Sequence, residues 1–155
     1  MAQDTDKSAQ ATTIIRNHML GSLASGLLPM PIVDVAILTA IQVRMASKLA
    51  ALHDVKFSEQ RARSVIASLA GLSLAVTAGN FLGMLLPGIG KALRGIGALT
   101  VPPATTYAVG QVLNKHFASG GTVWTFDPER AKPDYEEELK AGQRVAEQSY
   151  AGVKP

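Results

Sequence analysis

A glycine-rich turn with two cations, LLPGIGKALRGIG at residues 85–97, is the part of the sequence most suggestive of chemistry. Glycine beside lysine is typical of phosphate-binding loops, but a Walker A loop also needs an earlier glycine and a Ser or Thr ligand for Mg²⁺. The chain has Leu85 and Ala92 at these two positions, and Leu93 breaks the spacing G-x-G-x-x-G. We therefore predict that Pro87 ends one apolar helix and that the glycines allow the chain to reverse.

Other reactive side chains do not form a catalytic or metal-binding pattern. The histidines, His18, His53 and His116, are far apart and lack the i, i+4 spacing of a helical metal site. The serines considered as nucleophiles, which are Ser22, Ser25 and Ser64, have no matching base and acid. The carboxylates Glu136, Glu137 and Glu138 stand on a polar segment and are expected on a solvated face. We therefore predict no catalytic residues, no metal site and no cofactor.

Asp34 is an isolated acid at the start of an apolar helix, and two interpretations remain open. It is either a functional intramembrane acid or a carboxylate that stabilises the helix N-terminus by about 0.3–1 kcal/mol. The second interpretation is favoured because Asp34 follows Pro31 within the first turn.

The composition favours closely packed helices beside a membrane or another protein. Hydrophobic residues make up 47% of the 155 residues and charged residues 17%, with no cysteine. Residues 17–126 carry eight basic and three acidic side chains, whereas residues 127–155 carry five basic and seven acidic ones. This charge distribution either serves solubility alone or attracts the basic body to anionic lipid headgroups. Nucleic acid is not expected as a partner because the cations are not interleaved with aromatic residues.

Periodicity predicts an all-α fold of four to five helices, with an apolar helical hairpin and a polar C-terminal tail helix. Apolar stripes recur at helical spacing in residues 12–28 and 32–53, and Ser58 is a candidate N-cap for a third helix over 59–86. No charge occurs from Ser64 to Gly90 or from Gly95 to Asn114. We expect an interruption at Pro102-Pro103, a helix to about 118 closed by ASGG, and a polar helix near 134–148. Between them, TVWTF reads as a short strand or an extended docking segment.

Several short motifs resemble one known family in their order and spacing. They are Pro29, Pro31 and Asp34; Gln42 and Met45; Pro87, Gly88 and Gly90; Thr106, Tyr107, Ala108 and Gly110; and Phe117 and Gly120. Together they resemble the GTPase-associated membrane domain of unknown function, the YcjF-like family. The resemblance implies an all-helical domain at the inner membrane, with any GTPase activity in another chain. The expected division is a disordered or frayed N-terminus at 1–11, a YcjF-like domain at 12–121 and a polar tail at 122–155.

Two sets of residues are predicted to carry the function. Cations beside the apolar runs are expected to contact lipid headgroups: Arg44, Lys48, Arg61, Arg63, Lys91 and Arg94. Small residues and a tail aromatic cluster are expected to mediate self-association: Gly79, Gly83, Gly95, Gly97, Trp124 and Phe126. Glycines allow close helix approach. Trp124 and Phe126 either pack on the chain's own core or anchor a neighbouring copy.

Two functions fit these features, and neither is enzymatic. The favoured one is a membrane-associated, homo-oligomeric scaffold at the cytoplasmic face of a bacterial inner membrane, since the N-terminus shows no secretory signal pattern. Full crossing of both apolar runs is disfavoured, because it would place basic segments on both sides of the membrane. The alternative is a soluble helical module that partners or regulates a separate small GTPase.

Overall fold

The protein folds into five α-helices, as seen in a computed structural model that describes residues 2–23, 31–84 and 90–151. The helices are α1 (Ala2–Ser22), α2 (Pro31–Leu52), α3 (Glu59–Met84), α4 (Gly90–Ala118) and α5 (Pro128–Ala151). The described residues contain no strand, and the all-α prediction is confirmed. The fourth helix, α4, contacts all four of the others.

Side-chain surroundings are described for residues 5–23, 36–71 and 100–151, which we call the helical base. Residues 72–84 of α3 and 90–99 of α4 are the parts of these two helices outside the base, and we call these two segments the arms. A single core of buried residues runs through the base from all five helices. It includes Ile15, Leu49, Ile66, Leu113 and Tyr135.

The first helix begins at Ala2, so the expectation of a disordered or frayed segment over residues 1–11 is wrong for the described residues. Ala11 is buried on the same stripe as Ile15, four residues further on. Lys7 reaches Asp54 at the end of α2, with a distance of 3.4 Å between Nζ and Oδ2. The polar composition of these residues concealed a helix whose inner face is packed.

The fourth helix continues through Pro102 and Pro103, so the predicted interruption is also wrong. Proline removes a backbone donor from the helix and crowds the preceding turn. The hydroxyls of Thr105 and Thr106 donate to the carbonyl oxygen of Pro102, at 3.0 and 2.9 Å. Ala104 and Thr106 are fully buried. Packing of this turn against its neighbours therefore offsets the loss of regular helical hydrogen bonds.

The fifth helix begins at Pro128, six residues earlier than predicted. Asp127 is its N-cap, because its Oδ1 accepts hydrogen bonds from the backbone amides of Glu129 (3.0 Å) and Arg130 (3.3 Å). Pro128 suits the first helical position, where no backbone donor is needed. Tyr135, Leu139, Gly142 and Ala146 form a buried stripe along α5. The tail helix is therefore amphipathic and forms part of the core.

The segment TVWTF forms a tight turn between α4 and α5, so the predicted strand or extended segment is wrong. The amide of Thr125 donates to the carbonyl of Thr122 at 3.1 Å, and the amide of Thr122 donates to Oγ1 of Thr125 at 2.9 Å. The alternation of apolar and polar residues in this stretch is therefore not that of a strand. Within the turn, Val123 is buried and Trp124 is exposed.

Candidate membrane-binding and self-association surfaces

The motif residues in α2 and α4 meet inside the helical base and hold its helices together. A Cβ atom added to Gly110 would lie 2.9 Å from Ile15 Cγ1 and 3.1 Å from Met45 Sδ, so α1, α2 and α4 meet closely there. Gln42 is buried and donates through Nε2 to the hydroxyl of Thr106 at 3.3 Å. These residues therefore act in helix packing, and their pattern is evidence for the fold.

Two helices end in the same hydrogen-bonded motif. At the end of α4, the amides of Gly120 and Gly121 donate to the carbonyls of Phe117 (2.9 Å) and His116 (3.0 Å). This is a Schellman cap with Gly120 at φ 83°, which confirms the predicted closure at ASGG. At the end of α2, Asp54 takes the equivalent position with φ 56°, and Val55 donates to Ala50 at 3.0 Å.

Each of the three histidines donates a hydrogen bond to an oxygen atom. His18 Nδ1 donates to the carbonyl of Ile14 at 2.7 Å, and His53 Nε2 donates to Oδ1 of Asn114 at 2.8 Å. His116 Nε2 donates to the carbonyl of Thr122 at 3.0 Å, which ties α4 to the following turn. In the part of the chain that the structure describes, no cluster of three metal-ligating side chains occurs.

Four of the six cations predicted to contact headgroups lie in the helical base and are exposed: Arg44, Lys48, Arg61 and Arg63. Arg44 and Lys48 are one turn apart on α2, and the other two lie in the first turns of α3. Arg63 is partly neutralised, because its guanidinium contacts Oε1 of Glu59 at 2.7 Å. Within the described residues, the other three have no carboxylate within ion-pairing distance.

The remaining predicted site residues belong to the arms. Lys91, Arg94, Gly95 and Gly97 lie in α4, and Gly79 and Gly83 lie in α3. Their surroundings are outside the described residues, and their roles stay predictions. Along the described helices, none combines the length and apolar character that a membrane crossing requires.

Trp124 and Phe126 have different environments, although both were predicted to mediate self-association. Phe126 packs against the core and meets the ring of His116 edge-on, with a centroid distance of 5.1 Å. Trp124 is 48% exposed at the tip of the turn. Of the two, only Trp124 presents a large apolar surface outward.

Beside this turn, α4 and α5 enclose an open groove of about 430 Å³, which we call the α4–α5 groove. Its apolar lining is contributed by Val112, Phe126 and Ala131. Its charged lining consists of Lys115, Asp127, Arg130 and Asp134. Lys115 Nζ lies 2.9 Å from Asp134 Oδ2, and this contact raises the pKa of the lysine. The lining thus balances two cations against two carboxylates.

Glu138 differs from the expectation that the three consecutive glutamates are simply solvated. Burial is the largest influence on Glu138 and raises the pKa of its carboxyl, while Lys115 acts in the opposite direction. Glu137 is exposed, and Glu136 is half-buried. The charged face of α5 therefore includes one carboxylate that is less well hydrated than its neighbours.

The comparisons with known proteins identify the family. Residues 2–123 match the model of the domain of unknown function DUF697, and the chain belongs to this family. The chain is also 34% identical, over 140 residues, to magnetosome membrane protein 22 of Magnetospirillum gryphiswaldense. That alignment covers 88% of this chain and 72% of the relative. Neither description names a catalytic family. No solved structure matches the chain.

Sequence reasoning missed the contribution of α5, although two signals for it are present. Asp127-Pro128-Glu129 is typical of a helix start, with an N-cap acid followed by proline at the first position. Tyr135, Leu139, Gly142 and Ala146 recur at intervals of four, three and four residues. A Cβ atom on Gly142 would lie 2.8 Å from the carbonyl oxygen of Ala104, so α4 and α5 pack backbone against backbone here.

Proposed function

We propose that this protein is a non-enzymatic, membrane-associated scaffold that self-assembles at the cytoplasmic face of a bacterial membrane. The observation that carries the proposal is the similarity, over most of the chain, to a protein named for the magnetosome membrane. The physical basis is supplied by the exposed cations of α2 and α3 and by the arms, which are uncharged apart from Lys91 and Arg94. Anionic headgroups attract basic surfaces at about 1 kcal/mol per cation.

Helix geometry favours one orientation of the arms on the bilayer. From Arg61 to Met84, α3 rises about 34 Å at 1.5 Å per residue. The cations Lys91 and Arg94 therefore belong to the opposite end of the hairpin from Arg61 and Arg63. Insertion tip first would carry Lys91 and Arg94 into or across a hydrocarbon core of about 30 Å. A hairpin that lies along the surface brings both groups of cations to headgroups on one side.

A matched pair of variants tests the lipid contact. Arg61 and Arg63 are both exposed and two residues apart, but Arg63 is paired with Glu59. We expect Arg61→Gln to weaken co-sedimentation with vesicles containing anionic lipid more than Arg63→Gln does, at about 1 kcal/mol for an unpaired cation. The combined neutralisation of Arg44, Lys48 and Arg61 should reduce binding further. Vesicle binding that is unchanged when all three cations are neutralised would contradict the proposed contact surface.

The second candidate function is a helical module that partners or regulates a separate small GTPase. It is favoured by the burial of much of the uncharged part of α4 inside the base, including Val109, Val112 and Leu113. The fold already shields these side chains from water, so they require neither lipid nor a partner protein for their burial. The same vesicle assay separates the two functions, since this candidate predicts no binding to anionic or neutral vesicles. In both cases we expect no measurable affinity of the isolated chain for GTP or ATP by calorimetry.

A further inference from the structure

We infer that two copies of this chain form a symmetric contact in which Trp124 of each copy enters the α4–α5 groove of the other. This inference deepens the proposed self-assembly and rests on it. It names the binding site for Trp124, which sequence reasoning left undefined. The contact is isologous, because the same surface is used on both copies.

The position of Trp124 supplies the first argument. Thr125, Phe126 and Asp127 line the groove, and Trp124 immediately precedes them at the exposed tip of the same turn. An isologous contact uses the same patch on both copies. A twofold axis beside this turn therefore brings each indole to the partner's groove while the two turns face one another. Trp124 and the α4–α5 groove lie next to each other on one surface, as this symmetry requires.

Rigidity of the turn supplies the second argument. The amide of Thr122 donates to the hydroxyl of Thr125, and the amide of Thr125 donates to the carbonyl of Thr122. His116 Nε2 donates to the same carbonyl. A Cβ atom on Gly121 would overlap the imidazole of His116, so this ring packs directly on the backbone. An anchor on a fixed turn loses little conformational freedom when it binds, which favours affinity.

The groove itself supplies the third argument. Its volume of about 430 Å³ and its apolar lining of Val112, Phe126 and Ala131 suit a large aromatic side chain. The carboxylates of Asp127 and Asp134 provide acceptors for an indole N–H, which usually finds a partner when buried. The lining carries equal numbers of cations and carboxylates, so two identical copies can meet without net repulsion.

Charge argues against a lipid surface at this end of the molecule. Residues 127–138 contain six carboxylates and two cations. An anionic bilayer would repel this segment, although tryptophan is in general common at membrane interfaces. The second copy is therefore the better occupant for the groove and the better environment for Trp124.

Trp124 is the sole tryptophan, so its fluorescence reports this contact directly. In the full chain without lipid, we expect the emission maximum to shift to shorter wavelength as protein concentration rises. Quenching by iodide should fall over the same range, and light scattering should show dimers there. Trp124→Ala should weaken this association at least tenfold.

A variant that fills the α4–α5 groove tests the groove independently of Trp124. Ala131→Leu keeps Trp124 but occupies the apolar lining, so we expect a monomer whose tryptophan emission does not change with concentration. Ala67→Leu makes the same substitution on an exposed position of α3 and should behave as wild type. Circular dichroism of each variant checks the fold.

Other outcomes would overturn the inference in distinguishable ways. If Trp124→Ala and Ala131→Leu both leave the oligomer intact, self-assembly stands and this contact is wrong. If the emission shift requires anionic vesicles and not protein concentration, Trp124 is a membrane anchor. A wild-type monomer at all concentrations, with and without vesicles, contradicts both this contact and the proposed self-assembly.

Discussion

The helical base and the arms belong to the same two long helices but differ in what determines their behaviour. In the base, α4 contacts the four other helices and α3 contacts α2, α4 and α5, so their apolar residues meet a defined set of neighbours. In the arms, the same helices continue with few charges. Residues 72–84 carry none, and residues 90–99 carry only Lys91 and Arg94. The base therefore determines the fold, and the arms carry the hypothesis of membrane association.

The largest expected effect of a single substitution is in the base. Phe117 is 1% exposed in the core near the end of α4. We expect Phe117→Ala to destabilise the protein by about 3–5 kcal/mol, through lost burial and the cavity that remains. Urea denaturation followed by circular dichroism measures this change. A loss below about 1 kcal/mol would mean that α4 is not packed as described.

Close contact between α4 and α5 gives the next largest effect. A Cβ atom on Gly142 would lie 2.8 Å from the backbone oxygen of Ala104, and backbone cannot move aside easily. Gly142→Ala should destabilise by about 1–3 kcal/mol. Gly71→Ala is the matched control, since a Cβ atom there meets nothing within 4 Å and helix propensity should add about 1 kcal/mol of stability. Equal effects of the two substitutions would contradict the described packing of α5.

The two helix ends with left-handed residues should respond in opposite directions. Gly120→Ala places a side chain at φ 83° and should destabilise by about 1 kcal/mol. Asp54→Gly relieves the same constraint at φ 56° and should stabilise by up to about 1 kcal/mol. The exposed ion pair with Lys7 is lost in this variant and contributes little. Thermal unfolding of both variants checks the opposite signs.

Glu138 should give the smallest effect and a dependence on pH. Its carboxyl pKa is raised in the folded protein, chiefly by burial, so folding favours the protonated form. This contribution is fully present below the unfolded pKa and is lost as pH rises through the folded pKa. Glu138→Gln should therefore stabilise slightly at pH 7, by a few tenths of a kcal/mol, and not at pH 3. A gain that is independent of pH would contradict the assigned cause.

The sequence predicted the base well where apolar spacing is regular and poorly where packing overrides local preference. The limits of α2 and the cap at Gly120 follow from periodicity and from glycine chemistry. The continuity of α4 through Pro102 and Pro103 could not be predicted, because it depends on tertiary contacts of a turn with unfavourable local propensity. For α5, the information was present, but its many charges hid the buried stripe.

The candidate site was predictable as chemistry but not as geometry. Exposed cations beside uncharged runs can be read directly from composition, and four of them are exposed in the structure. The pairing of Glu59 with Arg63 follows from their i, i+4 spacing on the predicted third helix, although the sequence analysis did not use it. Sequence spacing does not distinguish Phe126, which packs inward, from Trp124, which faces outward. That distinction requires the path of the chain in three dimensions.

The most direct test of the central claim compares the arms with the base in one flotation experiment. The variant Phe81→Asp with Leu82→Asp places two charges in an arm, and Ala67→Asp with Ser68→Asp places two charges on the exposed face of the same helix in the base. We predict that wild type floats with anionic vesicles, that the arm variant remains folded but does not float, and that the base variant floats less than wild type but still binds. Flotation of the arm variant equal to wild type, or no flotation of wild type at all, would contradict the account.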